Sequence, residues 1–417
     1  MTEERYNEID NMGEEGLAGL TQEEYDAYLA RRYEKVTDHD AAIAELVADI
    51  NTAQQGALSL WSTGFPKLDE MLDGGFLAGN LVLLGAISSL GKTSLAVQIA
   101  ENVALSGKDV LYFSLEMAKK ELFAKLVSRY SYQIVEDEKQ EKPRIHYTDE
   151  SYRLTTSDVL RGRVGLLGEP KRELFEKALE KTNALKAHLR IVRDNNITID
   201  DVEAYVHAHE LATKRKPFVI LDYLQILKHG DTLRGDKRLL TDDDVNRLKD
   251  LAVRVGVPIV VISSFNRNNY LEPANMGSFK ESGTIEYSSD VLIAMQYSGM
   301  QYQKHWFKKK NARKAKLVFE SQIDHVTRVR ELLEDMDERG AKGETLPVDV
   351  ILLKNRGGVK GKVLFEFCPR YNVFTEKTDQ SDTAKDKYNW GEAEDENDDE
   401  TGSSVVSDDS PSLGRKK

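Results

Sequence analysis

The chain has 417 residues, 40% of them hydrophobic, and its single cysteine, Cys368, excludes an internal disulfide and any multi-cysteine metal site. No apolar run reaches the roughly 18 residues of a membrane span, and the acidic start MTEERYNEID is unlike a secretory signal, so we predict a cytoplasmic protein with no membrane segment. The net charge of −13 belongs to the two ends, since residues 1–54 carry −10 and residues 375–417 carry −7, which leaves a core compatible with a polyanion ligand.

Two helices are predicted in the acidic N-terminal segment. The string TQEE at 21–24 matches a capping box, in which a threonine hydroxyl and a glutamate carboxylate satisfy free amides at a helix start. A second helix is indicated by four apolar residues at i, i+3, i+4 and i+7, namely Ile43, Leu46, Val47 and Ile50. Their stripe belongs either to an ordinary surface helix or to a linker helix that docks on a neighbouring subunit.

Short apolar runs alternate with helical segments from about residue 58 to 375, which predicts an α/β fold with a mainly parallel sheet and helices on both faces. The charged segment 136–150 that interrupts this pattern is predicted to be a surface loop. The apolar runs, each predicted to be a strand, lie at 81–85, 109–115, 218–222, 258–263, 291–295 and 349–353.

An insert at about 298–346 departs from the alternation. It contains KHWFKKKNARKAK (304–316), followed by a helical run that ends near Arg339. Basic residues interleaved with aromatic ones suit a nucleic-acid backbone and its bases, but they also suit a solvated face anchored by two aromatic rings, and the sequence leaves both open. Beyond 375 the chain has too few apolar residues to fold, so we predict a disordered acidic tail.

The string AISSLGKTS (86–94) lies between an apolar run and a helical run, the context of a phosphate-binding loop. Such a loop presents backbone amides at a helix start, a lysine to the phosphate oxygens and a hydroxyl to the metal. Ala86 stands where the usual pattern has its first glycine, which removes only backbone freedom. The sequence predicts that a nucleotide is held by Ala86, Ser88, Ser89, Gly91, Lys92, Thr93 and Ser94.

Two acidic residues fall at the ends of predicted strands, at what would be the same edge of the sheet. Asp222 ends FVILD and is expected to support Mg²⁺, whereas Glu116 follows DVLYFSL and is expected to act as general base on the attacking water. Either acid alone is a weak signal. With Lys92 they form a hydrolytic set in the expected chain order.

These motifs, with SLEM (114–117), LDYLQIL (221–227), FKESGTIEYSSD (279–290) and KNRGGVKGKVLFEF (354–367), resemble the ATPase domain of DnaB-type replicative helicases. The resemblance covers about residues 58–375, leaves the insert unmatched, and implies a RecA-like P-loop NTPase fold with ATP as the nucleotide. It also divides the chain into the N-terminal segment 1–54, an ATPase domain 55–374 and the tail 375–417.

The resemblance also implies roles for residues. Lys92 and Thr93 would bind phosphate and Mg²⁺, Glu116 would activate water and Asp222 would support the metal. Arg356, as an arginine finger, and Lys354 beside it would reach into a neighbouring subunit's site. Single-stranded DNA would be contacted in a central channel by Lys280, Glu281 and Gly283.

Three departures from the family pattern are visible. Ser264 replaces the glutamine expected to sense the γ-phosphate, although Asn266 and Arg267 of that possible coupling motif remain. Lys280 stands where arginine is usual, which keeps the charge and loses the bidentate fork. Residues 1–54 are too short for the family's N-terminal helical collar, so we expect assembly without it.

The interpretation favoured by the sequence is an ATP-dependent DNA helicase in DNA replication, a homo-oligomer expected to be a hexameric ring that moves 5′ to 3′ on single-stranded DNA. A loader or a primase is an expected partner. Two alternatives stay open: a RecA-like ATPase that acts as an assembly or regulatory switch without unwinding, favoured by Ser264, and a loading protein with a vestigial ATPase, disfavoured by the intact Lys92, Glu116, Asp222 and Arg356.

Overall fold

The computed structural model describes residues 2, 5–6, 9, 17, 19–34, 39–54, 60–141, 152–166, 168–194, 196–222, 224, 237–279, 287–307 and 316–377. The predicted DNA-contacting residues Lys280, Glu281 and Gly283 lie outside this set, as does the predicted disordered tail from residue 378 onward. Within it, no helix combines the length and the apolar character needed to cross a membrane.

The described helices are α1 (Gln22–Glu34), α2 (His39–Gln54), α3 (Pro66–Met71), α4 (Lys92–Leu105), α5 (Lys119–Glu141), α6 (Thr156–Leu160), α7 (Glu169–Ala184), α8 (Ile199–Thr213), α9 (Lys237–Val255) and α10 (Gln322–Lys342). The strands are β1 (Leu60–Trp61), β2 (Phe76–Leu77), β3 (Leu81–Ala86), β4 (Val110–Ser114), β5 (Leu189–Val192), β6 (Phe218–Asp222), β7 (Ile259–Ser264), β8 (Val291–Tyr297), β9 (Lys304–Phe307), β10 (Lys316–Phe319), β11 (Leu346–Asn355), β12 (Gly361–Cys368) and β13 (Val373–Glu376).

One nine-stranded sheet organises the described chain, in the order β13-β12-β11-β8-β3-β7-β6-β4-β5. The six strands from β8 to β5 are parallel, and β11, β12 and β13 extend the sheet as antiparallel strands. The parallel strands are largely apolar because helices cover both faces, and β3, β4, β6 and β8 are buried at every position.

Parallel strands all end at one edge, which gives the sheet two functionally different sides. We call the side where β3, β4, β6 and β7 end the carboxyl edge, and the side where β3 and β8 begin the amino edge. At about 3.3 Å per residue, the six residues of β3 separate these edges by roughly 17 Å. Because β11 runs antiparallel to β8, its last residue, Asn355, pairs with Val291 and lies at the amino edge.

The predicted strands are all present, although the run at 349–353 belongs to an antiparallel strand. The capping box is present too, since the Thr21 hydroxyl accepts a bond from the Glu24 amide at 3.3 Å. The prediction of a loop at 136–150 is wrong for residues 136–141, which continue α5, and residues 142–150 are not described. In the insert, β9 and β10 form an antiparallel hairpin that precedes α10.

Helix α2 carries the predicted apolar stripe on an open face. Ile43, Leu46, Val47 and Ile50 are 46–59% exposed, so the described chain does not cover them. The residues before α1 are different, because Tyr6 and Ile9 are buried against Tyr28 in a small cluster of their own.

Candidate active site

The loop between β3 and α4 bends sharply at the carboxyl edge. Ser89 and Gly91 have left-handed backbone conformations, with φ of 66° and 90°, and α4 begins at the next residue, Lys92. A side chain at Gly91 would put its Cβ 2.7 Å from the Phe367 ring. The loop borders a cleft of about 490 Å³. The free amides at the helix start make this cleft suitable for an anion.

Gly85 is the early glycine that this loop requires. It lies one residue before Ala86, which stands where the usual pattern has its first glycine. A Cβ at Gly85 would lie 2.3 Å from the Phe279 ring and 2.7 Å from the Phe265 ring, whereas Ala86 is an ordinary buried strand residue. The close approach therefore concerns aromatic side chains rather than phosphate. Alanine at position 86 is accommodated without strain.

Lys92 is folded back onto its own loop. Its Nζ donates hydrogen bonds to the carbonyl oxygens of Ala86 at 3.1 Å and Ile87 at 2.9 Å. Burial lowers the pKa of Lys92 from 10.5 to about 8, and the carboxylates of Asp222 and Glu116 act in the opposite direction. A phosphate in the cleft would offer this ammonium a stronger acceptor than two neutral carbonyls.

Asp222 ends β6 as a buried carboxylate at the base of the cleft. It accepts hydrogen bonds from the Tyr112 hydroxyl at 2.8 Å and from the side chain of Thr93. Burial raises the pKa of Asp222, and the two hydrogen bonds oppose that change. A hydroxyl beside a carboxylate is a donor set that suits Mg²⁺, which takes oxygen ligands and commonly keeps its remaining positions for water and phosphate.

Glu116 lies two residues beyond β4 and is exposed at the mouth of the same cleft. The structure thus brings the predicted Lys92, Thr93, Glu116 and Asp222 to one cavity, together with Ser88, Ser89, Gly91 and Ser94.

Two polar residues of the cleft were not predicted. Lys125, on α5, donates to the Asn372 side chain at 2.6 Å and to the Ser94 hydroxyl at 3.2 Å, and burial lowers its pKa. Asn372 precedes β13 with a φ of 58° and also accepts a bond from Ser94 at 3.1 Å. The sequence holds one signal for Lys125, because it lies among Leu122, Leu126 and Arg129 on the helix face that is buried.

The end of β7 links the cleft to the segment before residue 280. Ser264 lines the cleft, the next amide, of Phe265, donates to the Ala86 carbonyl at 3.1 Å, and the Asn266 amide donates to Ser278 at 2.8 Å. The Phe265 and Phe279 rings meet edge to face at 5.2 Å. Asn266 then caps a 3₁₀ turn that starts at Arg267. Of the predicted coupling residues, only Ser264 is among the described residues that line the cleft.

Arg356 and Lys354 lie at the amino edge, apart from the cleft. The Arg356 amide donates to the Asp290 carbonyl at 3.1 Å, and its guanidinium donates to the Asp290 carboxylate at 3.2 Å and to the Tyr287 carbonyl at 3.0 Å. Lys354 donates to the same Tyr287 carbonyl at 3.2 Å. With β3 spanning roughly 17 Å between the edges, neither cation serves the cleft of its own subunit.

A phosphate loop, two acids at strand ends and a mainly parallel sheet define a RecA-like P-loop NTPase. Residues 61–376 match the model of the DnaB-like helicase C terminal domain. The chain belongs to this family, which confirms the resemblance seen in its motifs.

Curated relatives of the chain include replicative DNA helicases. The replicative DNA helicase DnaB of Buchnera aphidicola subsp. Baizongia pistaciae is 25% identical over 271 residues, covering 64% of this chain and 52% of that protein. The protein of the same name from Helicobacter pylori strain ATCC 700392 / 26695 is 24% identical over 332 residues, covering 78% and 62%. The chain thus spans between half and two thirds of the length of these relatives.

Solved structures confirm the predicted fold class. A solved ATPase domain superposes with a TM-score of 0.58 at 19% identity, covering 80% of this chain and 98% of that one. A DnaB-like replicative helicase, whose structure was described with its interactions with primase, gives a TM-score of 0.57 at 18% identity, covering 84% and 74%.

Proposed function

We propose that the protein hydrolyses ATP at sites shared between subunits of a ring and uses the energy to move along single-stranded DNA and unwind duplex during replication. One observation carries the proposal: the cleft holds Lys92, Thr93, Glu116 and Asp222, while the finger pair, Arg356 and Lys354, lies at the opposite edge of the same sheet. A complete site therefore needs two copies of the chain. Membership of the DnaB-like helicase family indicates that this hydrolysis drives DNA unwinding.

Binding rests on the loop and the start of α4. The amides there and the Lys92 ammonium would hold the β- and γ-phosphates, and Lys125, bonded to the Ser94 hydroxyl, adds a second cation to the cleft. Thr93 and Asp222 would hold Mg²⁺, which neutralises phosphate charge when bound. Since Tyr112 and Thr93 already fix the Asp222 carboxylate, little reorganisation is needed.

Hydrolysis requires a base and a stabiliser of transition-state charge. Glu116 would orient the attacking water and accept its proton. Arg356 of the adjoining subunit would stabilise charge that develops on the transferred phosphoryl group, with Lys354 beside it. Hydrolysis then depends on assembly, because an isolated subunit lacks the cation.

Assembly itself has a candidate surface on α2. Four neighbouring apolar side chains that are about half exposed are costly in water and would gain by docking on another subunit. We propose a hexameric ring from the family relationship, with α2 as the docking helix. The cytoplasmic location, the 5′ to 3′ direction and a loader or primase partner remain predictions from the sequence. Interactions with primase were described for a DnaB-like replicative helicase of similar fold.

DNA contact is proposed for Lys280, Glu281 and Gly283, which lie one, two and four residues after Phe279 in the sequence. Phe279 packs on Phe265, whose amide is bonded to the carbonyl of Ala86, the last residue before the phosphate loop. A displacement at the phosphates can therefore be transmitted to the DNA segment by packing, although Ser264 lacks the reach of glutamine. This short path supports coupled translocation.

The alternative is an ATPase that switches assembly without unwinding. Ser264 in the cleft favours it, because a serine hydroxyl is a poorer reporter of the γ-phosphate than a longer amide side chain. The two functions predict different effects of single-stranded DNA on the rate of ATP hydrolysis.

The test measures ATP hydrolysis with and without single-stranded DNA, alongside unwinding of a forked duplex by the same sample, with Lys92→Ala as the blank. Stimulation with unwinding supports the motor. ATP turnover that does not respond to DNA, without unwinding in assembled rings, favours the switch.

The shared site is tested by mixing Arg356→Ala and Lys92→Ala subunits. We expect recovered turnover because an intact loop then meets an intact finger. No recovery in mixtures shown to co-assemble would contradict it.

A further inference from the structure

Asp290 is the point on which the amino edge is organised. It immediately precedes β8, and its side chain is 7% exposed. One carboxylate oxygen accepts the Leu81 amide at 2.8 Å and the Lys249 ammonium at 2.6 Å. The other oxygen accepts the Arg356 guanidinium at 3.2 Å. The carboxylate is thus tied to the first residue of β3, in the centre of the sheet.

The finger residues converge on the four residues that end at Asp290. Both the Arg356 guanidinium and the Lys354 ammonium donate to the Tyr287 carbonyl, and the Arg356 amide donates to the Asp290 carbonyl. The Arg356 side chain stays 56% exposed. Its two contacts to Asp290 and Tyr287 use two of five N–H donors, so donors remain for a phosphate group.

We infer that Asp290 is a positioning residue for hydrolysis in the neighbouring subunit, acting through Arg356. This inference rests on the proposed shared site. An arginine free to sample many rotamers must be ordered before it stabilises a transition state, and a fixed carboxylate orders it beforehand. Lys249 on the other oxygen balances the Asp290 charge, so Arg356 keeps its attraction for phosphate.

The competing explanation is purely structural, since Asp290 also caps the Leu81 amide. Asp290→Asn separates the two roles because it keeps the shape and an acceptor for that amide but loses the charge. We expect kcat to fall by roughly ten- to 100-fold while KM for ATP stays within about twofold, because the cleft of the same subunit is untouched.

Mixed assemblies give the decisive readout. Asp290→Asn subunits should recover turnover with Lys92→Ala subunits, as Arg356→Ala subunits do, because an intact loop again meets an intact finger. They should not recover with Arg356→Ala subunits, since every finger in that mixture is defective. Asp349→Asn is the matched control, because Asp349 is a fully buried carboxylate of the same sheet that pairs with Lys362 and does not touch the finger.

Each outcome separates this inference from the proposed function. Wild-type kcat in Asp290→Asn, or no recovery with Lys92→Ala where Arg356→Ala recovers, overturns the role of Asp290 alone. If even the Arg356→Ala mixture fails in co-assembled rings, the shared site itself is overturned. Asp290→Glu keeps the charge, so its kcat should be higher than that of Asp290→Asn. A lower kcat in Asp290→Glu than in Asp290→Asn would mean that Asp290 only caps the Leu81 amide. If Asp290→Asn does not fold, Asp290→Ser, which also removes the charge and keeps an oxygen acceptor for the Leu81 amide, replaces it in the mixtures with the same criterion of recovery.

Discussion

The two edges of the central sheet hold complementary halves of the proposed site by different means. At the carboxyl edge the loop is packed against aromatic rings, so that Gly85 and Gly91 have no room for a side chain, and Asp222 is buried. At the amino edge Arg356 is more than half exposed and is held by hydrogen bonds and an ion pair. Packing fixes the half that works within a subunit, and polar contacts orient the half that reaches outward.

This difference predicts which changes damage which half. Steric and chemical changes at the carboxyl edge should impair a subunit's own cleft. Changes at the amino edge should leave that cleft intact and appear only in the neighbour's turnover.

The largest effect is expected for Glu116→Gln. Loss of the base should lower kcat by about 100-fold or more, while ATP affinity should stay near that of the wild type because the amide keeps the size of the carboxylate. Single-turnover hydrolysis and equilibrium binding of a fluorescent ATP analogue measure the two quantities separately. Undiminished hydrolysis would remove Glu116 from the role of base, and lost binding would show that it serves the cleft instead.

A smaller effect, on stability, is expected for Gly85→Ala. The new methyl group would overlap the Phe279 and Phe265 rings, which should lower the free energy of unfolding by about 1–3 kcal/mol. Gly357→Ala is the matched change at the amino edge, where the nearest atom, a methyl carbon of Leu77, is 3.9 Å from the added Cβ. Thermal or denaturant unfolding of both variants checks the contrast, and an equal loss in the two would mean that the carboxyl edge is no more tightly packed.

The sequence predicts the parts of the molecule that depend on local order. Buried parallel strands are continuous apolar runs, and the residues at their ends share an edge by topology, so Lys92, Glu116 and Asp222 are expected to meet. Residues contributed from elsewhere are not predictable in this way. Asn372 meets Ser94 across 278 positions, and nothing near it in the sequence marks the contact.

Two further features show why local patterns give an incomplete picture. Residues 136–141 are highly charged, which favours a loop, but glutamate, lysine and glutamine are good helix formers, and Glu136 pairs with Lys139 one turn later in α5. Asp290 is part of a sequence motif, yet its bonds to Leu81, Lys249 and Arg356 come from three distant elements. Such long-range polar contacts leave no periodic trace.

The smallest expected effect is a pH dependence confined to the carboxyl edge. With a pKa of about 8 in the free protein, Lys92 is roughly half neutral at pH 8. Bound phosphates would raise this pKa, so ATP binding should take up about half a proton per site at pH 8, and the affinity should weaken by up to about tenfold per pH unit above it.

Calorimetric titration with ATP in buffers of different ionisation enthalpy measures the uptake. Lys92→Arg is the control, because its guanidinium remains protonated and the uptake should disappear. Uptake that persists in that variant would assign the proton to another group of the cleft, of which Lys125, whose pKa is also lowered by burial, is the nearest in character. Lys125 would then be the cation at the carboxyl edge that takes up the proton when ATP binds.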